Sequence, residues 1–265
     1  MNNLIRSEIY KLIRSRVFKN SCIVMSLVTI IVVFSKYIIG ENTRFNLTHC
    51  RVGGRSYGFT ISSTRDMISI EYLYNALGAI GIILIISIFI AGTSVVNEYI
   101  SGTIKNSIAY GHNRISIYLS KVIASSSVVM SITTIFIIIC IVGCTIVYGW
   151  GEPVTFNRIS EIVRIIILVN IVLTCFISIN MCLAFMIRSK ALLVVVYMII
   201  NFLTVMSIAN GISPIIRFNP LFMLMDICSK VPTIELMGTY TVNCLGLIAG
   251  SSLVGAIFFK NQDIK

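Results

Sequence analysis

Six long apolar runs, each separated from the next by a short polar stretch, dominate the chain. They fall at about Ser21–Ile39, Tyr72–Val96, Val122–Tyr148, Ile162–Ile187, Ala191–Ile212 and Thr239–Phe259. Each is close to the roughly 20 residues that a helix needs to cross a hydrocarbon core. Ahead of the first run, Leu4, Ile5, Ile9, Leu12, Ile13 and Val17 recur at helical spacing, while Arg6, Lys11, Arg14 and Lys19 take the other positions. Over residues 1–20 this predicts a basic amphipathic helix lying at the headgroup boundary of an anionic leaflet, capped by Asn2 or Asn3. The plainer reading of the same stretch is a solvated basic leader. A cleavable signal peptide fits less well, because the run that follows is of spanning length and Ile38-Ile39-Gly40-Glu41 is a poor cleavage site. The pattern as a whole predicts an all-α integral membrane protein: an interfacial helix, then six transmembrane helices, in a single domain covering residues 1–265.

The polar segments complete the plan. Residues 41–71 are polar, with Gly53-Gly54, Gly58 and mixed charges, and read as an ordered cap or a mobile loop. Residues 149–161 form a short turn around Trp150 and Pro153. Residues 213–238 carry three prolines and also the apolar run Pro220-Leu221-Phe222-Met223-Leu224-Met225. A water-exposed loop would not hold that run, so one or two short re-entrant helices are expected before the last span, starting at Asn219-Pro220. The fourth and fifth spans, separated only by Arg188-Ser189-Lys190, form a tight hairpin.

Charge sets the orientation. With the N-terminus inside, twelve of the 21 Lys and Arg residues and only Glu8, Glu98 and Asp263 among the acids lie on the inner side. This bias favours both termini in the cytoplasm. The chain is 57% hydrophobic and 12% charged, with a mean hydropathy of +0.94, which excludes an ordinary soluble domain. The net charge of +11 does not point to nucleic acid, since there is no contiguous basic face, zinc spacing or RNA-binding signature. Six of the eight cysteines sit inside apolar runs as small hydrophobes. Cys50 and Cys228 fall in the outer loops, where spacing alone neither requires nor forbids a bridge.

Several chemistries are missing from the sequence. There is no GxxxxGK[ST] phosphate loop, HExxH, GxSxG or paired-carboxylate arrangement, and His49 and His112 stand alone in loops. Catalytic residues, cofactor sites and metal ligands are therefore expected to be absent. Acids strictly within the spans are missing too, which disfavours an ion-coupled secondary carrier. Energy, if used, should come from another subunit. Asn170, Asn180 and Asn201 lie within spans and read as interhelical hydrogen-bonding groups.

The segment Asn97–Lys121, NEYISGTIKNSIAYGHNRISIYLSK, is the longest polar interruption on the inner side. It reads as a short helix from Glu98 to about Ala109, a Gly111-His112-Asn113 turn, and a charged entry to the next span through Arg114 and Lys121. Its pattern, an acid (Glu98), then Gly102-Thr103, a basic Lys105, Arg114 opening the next span and Lys121 beyond it, resembles the ABC-2 type permeases. These are the six-span membrane subunits of bacterial ATP-binding cassette exporters. The basic N-terminus, the six spans and the broken segment before the last span match as well, so the resemblance covers nearly the whole chain. His112-Asn113 departs from the Pro or Ser that many relatives carry before the arginine.

The resemblance implies a bacterial plasma-membrane permease that pairs with a second permease, identical or related. The pair would sit on two cytoplasmic ABC ATPase subunits that hold the ATP and Mg. The coupling region would be Glu98, Gly102, Thr103, Lys105, Arg114 and Lys121, with the Glu98–Ala109 helix seated in a groove of the ATPase. The expected substrate is an amphipathic, antimicrobial or lantibiotic-like peptide, or a lipid-like molecule, in an immunity or a secretion role. A competing reading is a non-transport immunity or sensor protein that binds a toxin through its outer loops.

Overall fold

A computed structural model describes residues 2–40, 43–52, 55–63, 68–111, 113–209, 218–229 and 232–262. Helix α1 (Asn2–Arg14) carries the amphipathic leader and α2 (Arg16–Val33) is the first span. The leader helix is shorter than its periodicity suggests because Ser15 stops it. The Ser15 Oγ accepts from the Phe18 N–H at 3.1 Å and so caps the next helix instead of continuing the first. Val17 and Lys19 thus belong to the span.

After α3 (Ser35–Ile39) comes an antiparallel hairpin, β1 (Thr43–Val52) and β2 (Arg55–Ser63). The described part of the segment at 41–71 is therefore a cap built around strands. Tyr57, Phe59, Ile61 and Ser63, at every second position of β2, are buried, which is the period of a half-covered strand. They rest on α4 (Ser69–Gly78). The second apolar run is not one helix. It breaks at Ala79, so that α4 supports the hairpin and α5 (Ile80–Ile100) makes the span. Gly78 is what allows the contact: a Cβ there would stand 2.2 Å from the Thr60 carbonyl oxygen. Asn75 fastens the same junction by accepting from the Ser62 N–H at 2.9 Å.

Helix α6 (Thr103–Ala109) follows, then α7 (Arg114–Tyr148), α8 (Phe156–Ile187) and α9 (Lys190–Ala209). Helix α7 begins eight residues before the expected Val122, and its 35 residues reach about 52 Å, well beyond a hydrocarbon core of about 30 Å. Its first turns therefore stand outside the core, and Arg114 and Lys121 sit on a helix already formed. Arg188, in the left-handed conformation, turns α8 into α9. Helix α10 (Pro220–Ile227) starts where expected, with the Asn219 side chain accepting from the Leu221 N–H and proline in the first turn. It is one buried helix, packed on α8, α9 and β2, so protein covers its apolar run. Helix α11 (Ile234–Lys260) closes the fold, and Asp226 accepts from the Tyr240 hydroxyl at 2.8 Å to tie α10 to it.

Among the described residues, six helices are long and apolar enough to cross a membrane: α2, α5, α7, α8, α9 and α11. Helix α8 lies at the centre, packed along α5, α7 and α11. Two of the in-span amides join helices as expected: Asn170 donates to Thr134 Oγ1 at 3.0 Å and Asn180 to Ser87 Oγ at 3.3 Å. Asn201 instead donates to the Tyr197 carbonyl of its own helix. Cys50 and Cys228 are free and buried, and face different backbone carbonyls, of Val205 and Leu77.

The junction at Gly78 makes a testable prediction. Gly78→Val should destabilise the protein by about 1–3 kcal/mol through overpacking and free the hairpin, whereas Gly246→Ala, which meets nothing within 4 Å, should be neutral. Thermal unfolding in detergent, together with limited proteolysis over residues 43–63, reads both effects.

Candidate coupling site

Four alternating charges meet where α1, α5 and α7 come together. Glu98 is on the last turn of α5, not at the start of a separate helix, because the span continues to Ile100. Lys121 is on the third turn of α7, and its side chain is fully buried. Its ammonium lies 2.7 Å from Glu8 Oε2 and 2.8 Å from Glu98 Oε2, and donates to the Ser94 carbonyl at 3.1 Å. Lys11 completes the ring from the solvent side, 2.7 Å from Glu8 Oε1 and 3.1 Å from Glu98 Oε1.

The chemistry explains how the four charges share the burden. A lone buried ammonium pays a large desolvation cost and tends to lose its proton. Two carboxylates and a backbone carbonyl compensate Lys121 here, while Lys11, half exposed, neutralises the second carboxylate. Burial works against the Glu8 carboxylate, but Lys121 and Lys11 outweigh it and hold its pKa below the ordinary 4.5. Burial likewise opposes the charge on Lys11, yet Glu8 and Glu98 raise its pKa above 10.5. The contribution of Glu8 is complete above its ordinary value and is lost as pH falls through the depressed one. That of Lys11 is lost only as pH rises through a value above 10.5. Both are fully present across the neutral range.

Beyond the ring, the chain turns at Ser101-Gly102. Gly102 has φ +70°, a left-handed conformation that glycine adopts without strain, and a Cβ there would meet nothing within 4 Å. Thr103 opens α6, exposed, with its hydroxyl 3.0 Å from that of Ser101. Lys105 lies in α6 by its backbone; its side chain, and His112, fall outside the described residues. Ile104 is buried under the short helix, whereas Ile100 and Tyr110 at its two ends are 77% and 84% exposed. Asn113 caps α7 by accepting from the Ile115 N–H.

Arg114 does not join the charge ring. It donates to the carbonyls of Lys260 and Gln262, at 3.0 and 2.7 Å, and ties the corner to the end of α11. The Tyr99 hydroxyl donates to Gln262 Oε1 at 2.7 Å, and the Arg188 guanidinium stands 5.0 Å over the Tyr99 ring. Glu98 and Lys121 thus meet directly, Arg114 anchors a second edge, and Gly102 and Thr103 face outward between them. Glu8, Tyr99, Arg188 and Gln262 belong to the same corner but carry no motif. Glu8 did leave a trace: this lone acid of a basic leader shares a helical face with Ile5, Ile9 and Leu12, where a solvated charge has no reason to be.

The model of the ABC-2 family transporter protein matches residues 2–260. The chain belongs to the ABC-2 transporter family. Membership makes it a membrane permease of an ABC transporter and implies an ABC ATPase as its partner. No curated protein matches this permease individually.

Within the permease, Lys121→Met should leave Glu8 and Glu98 facing each other across a buried space and cost about 3–5 kcal/mol. Lys11→Met, at the exposed edge, should cost at most about 1 kcal/mol. Thermal unfolding of the purified variants at neutral pH gives the ordering, and equal losses would contradict it.

Proposed function

We propose that the chain is the permease subunit of an ATP-driven exporter in a bacterial plasma membrane, with both termini cytoplasmic. It pairs with a second permease, identical or related, on two cytoplasmic ABC ATPase subunits that carry the ATP and Mg. Its cargo is an amphipathic peptide or a lipid-like molecule, and its role is immunity or secretion. The observation that carries this reading is the corner at residues 98–114. Its exposed face, Ile100, Gly102, Thr103 and Tyr110, offers a soluble partner apolar area and an open backbone. Its inner face is fixed to α1, α7 and α11 by the charge ring and by Arg114. A push on α6 would therefore move several helices at once, as a coupling element requires.

The sensor reading draws on a different feature. Between the hairpin and α4 lies a cleft of about 420 Å³ lined by Arg44, His49, Glu71 and Tyr74 among others, at the end of the fold opposite the charge ring. A protein that only bound a toxin there would need the hairpin and no ATPase.

The two readings separate in one experiment. The permease is purified in mild detergent from its host, and co-purifying proteins are weighed. Under the exporter reading, a stoichiometric protein of ABC ATPase size accompanies the wild type. It is lost with Tyr110→Asp or Gly102→Trp, while the permease keeps its thermal midpoint. An intact wild-type permease that brings down no ATPase, yet loses protection when residues 43–63 are deleted, would favour the sensor.

A further inference from the structure

The outer half of the fold encloses a cavity that the coupling site does not touch. It lies between the hairpin, the first turns of α5, α9 and α10, and has a volume of about 430 Å³, within the range of small-molecule sites. Phe59, Leu84, Leu221 and Met225 form its buried back wall. Its mouth is made by Ile85, Met198, Phe202 and Met206, which are 41%, 46%, 60% and 46% exposed. These four stand on spanning helices α5 and α9, so the mouth opens toward hydrocarbon and not toward water. None of the lining side chains is charged.

Three polar side chains, Thr48, Tyr197 and Asn201, interrupt the apolar wall. Tyr197 is only 6% exposed, and its hydroxyl proton meets no acceptor among the described residues. The Asn201 amide, one turn on, donates to the Tyr197 carbonyl at 2.8 Å, and its second N–H can only donate toward the hydroxyl oxygen, which leaves the hydroxyl proton without an acceptor. A buried hydroxyl without an acceptor is unfavourable and rare, so what this cavity lacks is an acceptor from its occupant. A peptide strand would bring several backbone N–H and C=O groups, more than these three side chains could satisfy. An acyl chain brings none, and its ester supplies one carbonyl.

We propose that this cavity binds one acyl chain of a membrane glycerolipid, entering sideways from the bilayer, with its ester carbonyl accepting from the Tyr197 hydroxyl. The headgroup stays outside, by the hairpin and α10. The site depends on the chain's being a membrane permease and not on the direction of transport.

The test uses the full permease in lipid nanodiscs doped with a phosphatidylcholine that carries a photoreactive diazirine on its acyl chain. Adducts are mapped by mass spectrometry of peptides. Labelling of residues 197–206 and 221–225 should exceed that of Leu245 and Leu253, which are 61% and 63% exposed on α11, by about tenfold, equivalent to one decade in affinity. Val205→Trp, which fills the cavity, should abolish the excess. Tyr197→Phe should reduce it about two- to tenfold, the effect of one hydrogen bond, with the ester lipid but not with its ether-linked analogue. Labelling that simply follows exposure and ignores Val205→Trp would overturn the proposal, as would cross-links showing a second permease copy seated in the mouth. ATPase co-purification from the same preparation reports on the exporter reading separately.

Discussion

The buried ammonium of Lys121 is the constraint on which the end of this protein formed by α1, α5 and α7 depends. It has no water to solvate it, so it must keep Glu8 and Glu98 within reach. Those two carboxylates come from different elements, the leader helix and the end of the second span. One lysine therefore holds α1, α5 and α7 in a single arrangement. Lys11 adds the fourth charge from the solvent side, and the ring is neutral. Such a cluster contributes less net stability than its short distances suggest, because desolvation offsets much of the Coulomb attraction. Its consequence is specificity of position: the leader helix has one place to dock, and the α5–α6 corner has one direction to face.

The rest of the fold follows from having two differently built ends. At one end, polar contacts converge on the corner, with Arg114 gripping the last residues of α11 and Tyr99 bridging Gln262 and Arg188. At the other end, the hairpin packs on α4, and α10 packs on the hairpin, α8 and α9. There Arg158 clamps Glu152 and Glu161, and Glu152 also accepts from Ser69. Rigid helices join the two ends. In the proposed exporter, a displacement of α6 would be carried by α5 and α7 toward the hairpin and α4.

Much of this plan was legible in the sequence, because hydropathy at spanning length leaves little choice of fold. The six spans, the tight turn at Arg188 and the helix begun by Asn219-Pro220 all follow from local pattern. Boundaries were misplaced where a side-chain cap or a long-range contact decides them. Ser15 ends the leader helix by capping the next, and Gly78 breaks the second run because the Thr60 carbonyl must approach there. The hairpin's alternation at Tyr57, Phe59 and Ile61 lay inside a stretch whose charges and glycines left open an ordered cap or a mobile loop. At the site, Glu98, Gly102, Arg114 and Lys121 stood out by motif, but their roles did not. Lys121 and Glu98 pair with each other within the chain, and their companion Glu8 lies 90 residues from Glu98 in sequence, beyond the reach of any spacing argument.

The claim that the charge ring makes one body of α1, α5 and α7 is tested most directly by a distance. Spin labels at positions 10 and 110, where both tyrosines are exposed, report on the leader helix and the coupling corner, with the exposed native thiol Cys22 replaced by alanine. Pulsed dipolar spectroscopy of the permease with its ATPase, nucleotide-free and trapped with a transition-state analogue, should give one narrow distance that does not change between the two states. The same pair in a Lys121→Met background should broaden. A wild-type distance that shifts or splits on trapping would mean that the two elements move independently, and would contradict the account.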